Sequence, residues 1–252
     1  MMKRYLKNDV LKDRAKYYLD GHYGTMILGF FFFITLLMCF SIMLTSAELA
    51  VQDTFGKTGA AMTLFRWLGN FATQLLVAIL QFGFAYACLK LACRQRLLYT
   101  DLFCGFQGES FLPIAVITFV RLVINSVCFA LSDYLSRGFN FSLTDELDLL
   151  QLLYILLALL GGYVIYIPIS LALDLSFYLV LDFPEKNSFE VLRDSFKIIR
   201  GHRKRFLYLQ FSFFPMYLLM CLSLGIGFLW LFPYYQMSVT LFYLDLMHPS
   251  ES

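Results

Sequence analysis

Two ionisable side chains sit deep inside apolar chain. Arg121 lies within the run Phe111–Leu131, and Asp174 within the run Leu149–Leu181. An arginine at a bilayer centre costs about 2.5–3.5 kcal/mol even on lenient insertion scales, so intramembrane charges face a bundle interior and take a partner. Arg121 is ten residues past Phe111, about 15 Å of helix, and Asp174 is eight residues before Asp182, about 12 Å. Matched depth and opposite sign predict that the two meet.

Polar and small residues recur around them at helical spacing. One run carries Thr118, Arg121, Asn125, Cys128 and Ser132. A second carries Gln74, Ala78, Gln81, Ala85 and Cys88. A third carries Tyr163, Tyr166, Ser170 and Asp174. Such stripes serve one of two chemistries. Small residues let helices approach while amides and hydroxyls bond across, at about 0.6 kcal/mol each. Alternatively, Arg121, Asn125, Asp174, Gln74, Gln81 and Ser170 line a polar conduit or pocket.

Hydrolytic and phosphate-binding motifs are missing: the chain has no H-E-x-x-H, no G-x-S-x-G and no phosphate loop. His22, His202 and His248 fall in three separate segments. No enzyme activity, metal or cofactor is expected. Six cysteines (Cys39, Cys88, Cys93, Cys104, Cys128 and Cys221) form no C-x-x-C pair and avoid the expected outer loops, so no disulfide framework is implied. Cys93 and Cys104 lie within reach of acylation but read as ordinary thiols.

The elements that position these residues are membrane helices. The chain is 60% hydrophobic with 28 Phe, and its mean hydropathy is +0.68. A soluble domain of 252 residues could not hide that much apolar surface. About 20 apolar residues span the hydrocarbon core as a helix. The apolar runs are Gly24–Ser46, Leu68–Leu91, Phe111–Leu131, Leu149–Leu181, Phe206–Leu224 and Phe228–Leu246. They are continuous rather than alternating, which argues against a β-barrel. The expected fold is a single all-α domain over residues 1–252, a polytopic bundle of six transmembrane helices. The sixth depends on a turn at Ser223–Gly227, where glycine allows one. The fourth run is 33 residues long, about 50 Å as one helix. Gly161, Gly162 and Pro168 offer places to kink or break it.

Charge orients the bundle. Sixteen of the 20 Lys and Arg fall in the N-terminal segment, the second connection and the fourth connection. Lys57, Arg66 and Arg137 fall on the opposite side, whose third connection carries Asp133, Asp145, Glu146 and Asp148. The positive-inside rule puts both termini in the cytoplasm. The basic start and first apolar run each exceed 20 residues, too long for a signal peptide. Aromatic interleaving of the basic segments is absent, so nucleic acid is not expected as a partner.

Two amphipathic segments complete the expectation. Residues 1–23 form an interfacial helix with the apolar stripe Leu11, Ala15, Tyr18 and Leu19. Residues 183–205 form a cytoplasmic elbow, begun where Asp182-Phe183-Pro184 ends the fourth span. Its helix starts at a capping box, Asn187 and Glu190, and ends at Gly201. Phe189, Leu192, Phe196 and Ile199 are expected to face the acyl boundary. Arg193, Lys197, Arg200, Arg203, Lys204 and Arg205 are then free for anionic headgroups.

Several motifs line up in order. Leu11-Lys12, Ala15-Lys16, Leu19, Gly21 and Tyr23 open the chain. Gly83, Tyr86 and Leu89 close the second span, followed by Asp101-Leu102-Phe103 and Gly105-Phe106. Tyr178, Asp182, Pro184, Glu190, Ser195 and Gly201 mark the elbow. Phe211-Ser212-Phe213, Gly225-Ile226-Gly227, Pro233-Tyr234 and Phe242-Tyr243 mark the end. Over most of its length the chain resembles the multi-pass membrane proteins, mostly of Gram-positive bacteria, grouped as domain of unknown function 975. The resemblance implies a bacterial cytoplasmic-membrane protein and no particular activity. The chain departs from that family at Gln95-Arg96, in place of an Arg-Gly pair, at Pro215, in place of a Trp, and at Asp174, in place of a small residue. The functional expectation is a binding, accessory or assembly factor of the envelope, with anionic lipid and a membrane-protein partner. The rival is a small transporter or channel-like protein with its site around Arg121 and Asp174. Oligomeric state stays open.

Topology is directly testable. In a cysteine-free background, Lys7→Cys and Asn187→Cys are expected to be protected from an impermeant thiol reagent outside intact cells, whereas Gly59→Cys and Asn140→Cys are labelled. Labelling at position 187 overturns the charge count.

Overall fold

The computed structural model describes residues 5–55, 59–106, 108–137, 166, 169–223 and 225–248, and every regular element among them is helical. In chain order these are α1 (Asn8–Leu19), α2 (Tyr23–Phe55), α3 (Ala60–Ala92), a 3-10 helix (Tyr99–Phe106), α4 (Gly108–Arg137), α5 (169–182), α6 (Ser188–Ile199), α7 (Arg203–Phe211), α8 (Phe214–Leu222) and α9 (Phe228–Met247). Gly161, Gly162, Tyr163 and Pro168 lie outside the described residues.

Among the described residues, three stretches are long and apolar enough to cross a bilayer: Tyr23–Gln52 in α2, Ala60–Ala92 in α3 and Phe111–Cys128 in α4. At 33 residues each, α2 and α3 run about 50 Å. Much of the expected outer loop is therefore helix. Arg66 Nε bonds Glu48 Oε1 at 2.7 Å across this far end.

The fifth apolar run is not one helix. It divides into α7 and α8 around Ser212 and Phe213. Pro215 is the cause: it has no N–H to offer the carbonyl four residues back, and its ring clashes there. Lys12 Nζ donates to the Ser212 carbonyl at 2.8 Å, satisfying a group the break leaves open. The chain does turn at Ser223–Gly227, as the glycines suggest, with Gly225 at φ +88° and its N–H on the Met220 carbonyl. Phe228 and Phe232 then pack on Phe30, with ring centroids 5.1 and 4.2 Å away. Phe30 is only seven residues into α2, so the α8–α9 turn sits level with the first turns of that helix.

The core gathers at this same end. It comprises Ala78–Leu91 of α3, α9 from Leu231 onward, and α5, where Leu171–Leu173 and Leu175–Val180 are all buried. Two expected lipid-facing stripes turn into this core instead. In α1, Leu11, Ala15 and Leu19 are fully buried, along with Asn8. In α6, Leu192 and Ile199 are buried with Val191 and Ser195, while Phe189 points outward. Periodicity showed that one face had to leave water. Here it leaves water for protein, at about 1.5–3 kcal/mol per large side chain. Asn187 is the N-cap of α6 but makes no side-chain capping bond, so the capping box is absent, whereas Gly201 ends the helix at φ +97° as expected.

The 3-10 helix folds back onto α3. Lys90 Nζ bonds Asp101 Oδ1 at 2.8 Å, and Asp101 Oδ2 accepts the Leu98 N–H at 2.8 Å. Leu102 fills a notch made by two glycines. A Cβ at Gly83 would stand 1.9 Å from the Leu102 carbonyl oxygen, and one at Gly29 would stand 2.3 Å from Leu102 Cδ1.

The notch makes a sharp prediction. Gly83→Ala forces backbone apart and should cost about 3 kcal/mol, seen as a lowered Tm in detergent. Gly69→Ala, whose nearest neighbour is Leu44 Cδ2 at 3.8 Å, should gain up to about 1 kcal/mol from helix propensity. Equal Tm values for the two variants contradict the notch.

Candidate functional site

The two charges set in apolar runs meet. Arg121 on α4 donates from Nη2 to Asp174 Oδ1 on α5, with side chains 19% and 24% exposed. Phe177, one turn beyond Asp174, holds its ring 5.6 Å from the guanidinium carbon and packs edge-on against Phe82 of α3. The pair cancels its own charge but leaves a loose end, since Arg121 Nε is buried without a hydrogen-bond partner among the described residues. Such an unpaired donor carries a desolvation penalty of about 1–3 kcal/mol.

The remaining stripe residues divide. Ala78, Ala85, Cys88 and Cys128 are buried, and Thr118 bonds the Ile114 carbonyl of its own helix at 2.7 Å. These are packing roles. Gln74, Gln81 and Asn125 are half-buried, and no hydrogen bond joins their side chains to the pair. Ser170 lies one turn before Asp174, also half-buried. The structure therefore gathers Arg121 and Asp174 but builds no continuous network among the described members of the seam.

Two polar systems escaped the sequence reading. In the first, Gln236 Nε2 donates to the Tyr178 hydroxyl at 2.9 Å, and that hydroxyl lies 3.1 Å from Thr240 Oγ1. Tyr243, stacked on Tyr178, donates to Asp182 Oδ2 at 2.5 Å. The spacing of Gln236, Thr240 and Tyr243 along one helix face was its signal.

The second corrects an assignment. Arg205, expected among the headgroup contacts, turns inward. Its Nη2 bonds Asp245 Oδ2 at 2.5 Å and the Leu6 carbonyl at 2.6 Å, and its guanidinium lies over Phe242 at 4.8 Å and Tyr5 at 5.4 Å. Both Asp245 oxygens accept the Leu6 N–H at 3.2 Å, and Asn8 Nδ2 donates to the Arg205 carbonyl at 3.0 Å. The Asp245 side chain is only 4% exposed, and a buried carboxylate needs a paired cation. This clamp joins the N-terminal segment, the start of α7 and the end of α9.

Around the clamp lies a basic surface. Arg193, Arg200, Arg203 and Lys204 are exposed and, among the described residues, form no ion pair. Lys197 is exposed but spends its charge on Asp194 at 3.2 Å, which also takes Lys186 at 3.0 Å. The bonds from Lys186 and Lys197 hold the Asp194 carboxyl below its usual range. His202 packs edge-on against Tyr5, and burial, with the Arg205 guanidinium beside it, holds its imidazole below the usual range. The exposed charge of this surface is carried by arginines and lysines.

The clamp is open to a double-mutant cycle. Asp245→Leu or Arg205→Met alone leaves one buried charge unpaired and should cost about 3–5 kcal/mol. The double variant should recover a large part of that. Additive losses in Tm would contradict the pairing.

No curated protein and no solved structure matches the chain. One family model does, and it covers residues 2–250. The chain therefore belongs to the family described as Protein of unknown function (DUF975).

Proposed function

We propose that this protein is a multi-pass component of a bacterial cytoplasmic membrane that acts as a binding, accessory or assembly factor of the envelope, and not as an enzyme. One observation carries this reading: the cations Arg193, Arg200, Arg203 and Lys204, unpaired among the described residues, sit on two short helices locked into the core and on the turn between them. The positive-inside rule needs charge but not order. Ordering a surface loses about 1–2 kcal/mol of backbone entropy per residue, and a fixed cationic surface suits recognition. Its partner is acidic, either anionic headgroups or the flank of another membrane protein.

Four of the six apolar runs cross the bilayer in this reading. The last two, broken at Pro215, form a hairpin that enters and leaves on the basic side. The level of the α8–α9 turn against Phe30 supports the hairpin. A full six-span path would place the termini on the same side. The whole chain acts as one membrane domain.

A transporter is the second reading, and the buried, unpartnered Nε of Arg121 favours it. A donor held beside a neutralised pair suits a passing acceptor.

Photo-crosslinking in cells separates the two. A photoreactive residue at position 200 or 203 should give a discrete protein or lipid adduct. Reversing Arg193, Arg200, Arg203 and Lys204 to Glu in turn should remove it, and the neutral pair Arg121→Gln with Asp174→Asn should leave it unchanged. No adduct, or an adduct indifferent to charge reversal, overturns the first reading. An adduct lost on changing Arg121 and Asp174 favours the second.

A further inference from the structure

A groove of about 510 Å³ lies where α8 and the start of α9 face the corner between α1 and α2. Met216, Leu219 and Met220 of α8 form one wall, and Trp230 and Leu231 of α9 form the other. Its lips are apolar and uncovered. Leu219 is 63% exposed and Trp230 53%, with Leu222 and Ile226 exposed beside them. An apolar opening inside an apolar surface faces acyl chains rather than water in a protein built this way.

One end of the groove differs. Lys16, Tyr23 and Tyr234 meet there. The Lys16 ammonium is 5.8 Å from the centre of the Tyr234 ring and, among the described residues, pairs with no carboxylate, although Asp13 and Asp20 lie a turn away on either side. From Tyr234 to Gly227, α9 runs seven residues, about 10 Å. Over that length the lining passes from a free cation with two phenols to methionine, leucine and tryptophan. A cation beside phenols at one end and apolar walls along the rest match an anionic amphiphile. The walls are helices whose backbone groups already bond within their own turns, so the groove offers no edge to an extended peptide.

We propose that this groove holds one acyl chain of an anionic phospholipid from the basic-side leaflet, with the lipid phosphate on Lys16. The site uses none of the exposed cations of α6 and α7, so it stands apart from the partner surface proposed above. The α8–α9 turn at the other end puts Trp230 against the chain, and Lys16 puts the basic N-terminal helix against the headgroup. A single lysine holds phosphate poorly in water. Seated in the groove, the chain keeps the phosphate beside it, and electrostatic attraction adds the preference for negative charge.

The two tryptophans make the test direct. In a Trp67→Phe background, Trp230 is the sole tryptophan. The full chain is reconstituted in phosphatidylcholine containing a small fraction of phosphatidylglycerol brominated in its acyl chains, and separately with the same fraction of brominated phosphatidylcholine. The brominated phosphatidylglycerol should quench Trp230 several-fold more. Lys16→Glu should abolish the difference, Lys16→Gln should weaken it, and Arg200→Glu with Arg203→Glu should leave it intact. Lys16 is exposed, so these changes leave the core alone. Equal quenching by the two lipids overturns the proposal. So does a preference that survives Lys16→Glu, or one that vanishes with the α6–α7 substitutions instead.

Discussion

A charge buried in an apolar chain must find its opposite, and the Arg205–Asp245 pair is the place where this rule organises the molecule. The pair closes the end of α9 onto the start of α7, and through the Leu6 backbone it fastens the segment that leads into α1. With that segment fixed, α1 can lay Leu11, Ala15 and Leu19 into the core. Lys12 then reaches the carbonyl that the break before Pro215 leaves open. The amphipathic α1 thereby becomes part of the fold. Arg121 and Asp174 obey the same rule farther along the bundle, and among the described residues each arginine, Arg121 at Nε and Arg205 at Nη1, keeps one buried nitrogen unsatisfied.

The two pairs were unequally legible in the sequence. Arg121 and Asp174 interrupt long apolar runs, and counting residues from each end gave their depths. Arg205 instead sat in a run of basic residues after Gly201, where it looked like one more surface charge. Asp245, one residue before the end of the last apolar run, looked like the edge of a span. Pairing across 40 positions leaves no periodic trace, and only the burial of Asp245 reveals the need for a partner.

Helix type and amphipathic faces were readable for the same reason that the faces' destination was not. A stripe at 3.6-residue spacing states that one side avoids water. Lipid and protein satisfy that requirement alike, so the stripes of α1 and α6 fitted either. Leu192 and Ile199 chose protein. The break between α7 and α8 was written in Pro215, whose missing N–H matters more than the hydropathy around it. The close approach of Leu102 to Gly83 had no local signal beyond the glycine itself.

With Val191, Leu192, Ser195 and Ile199 packed into the core, the basic surface is a rigid face of the protein and not a segment resting on lipid. Hydrogen exchange at the amides of α6, measured on the full chain in nanodiscs, tests it most directly. If Val191, Leu192, Ser195 and Ile199 are held by the core, their protection is high and the same in neutral and in anionic lipid. Protection that is low in neutral lipid and rises only when anionic lipid is added would contradict the claim.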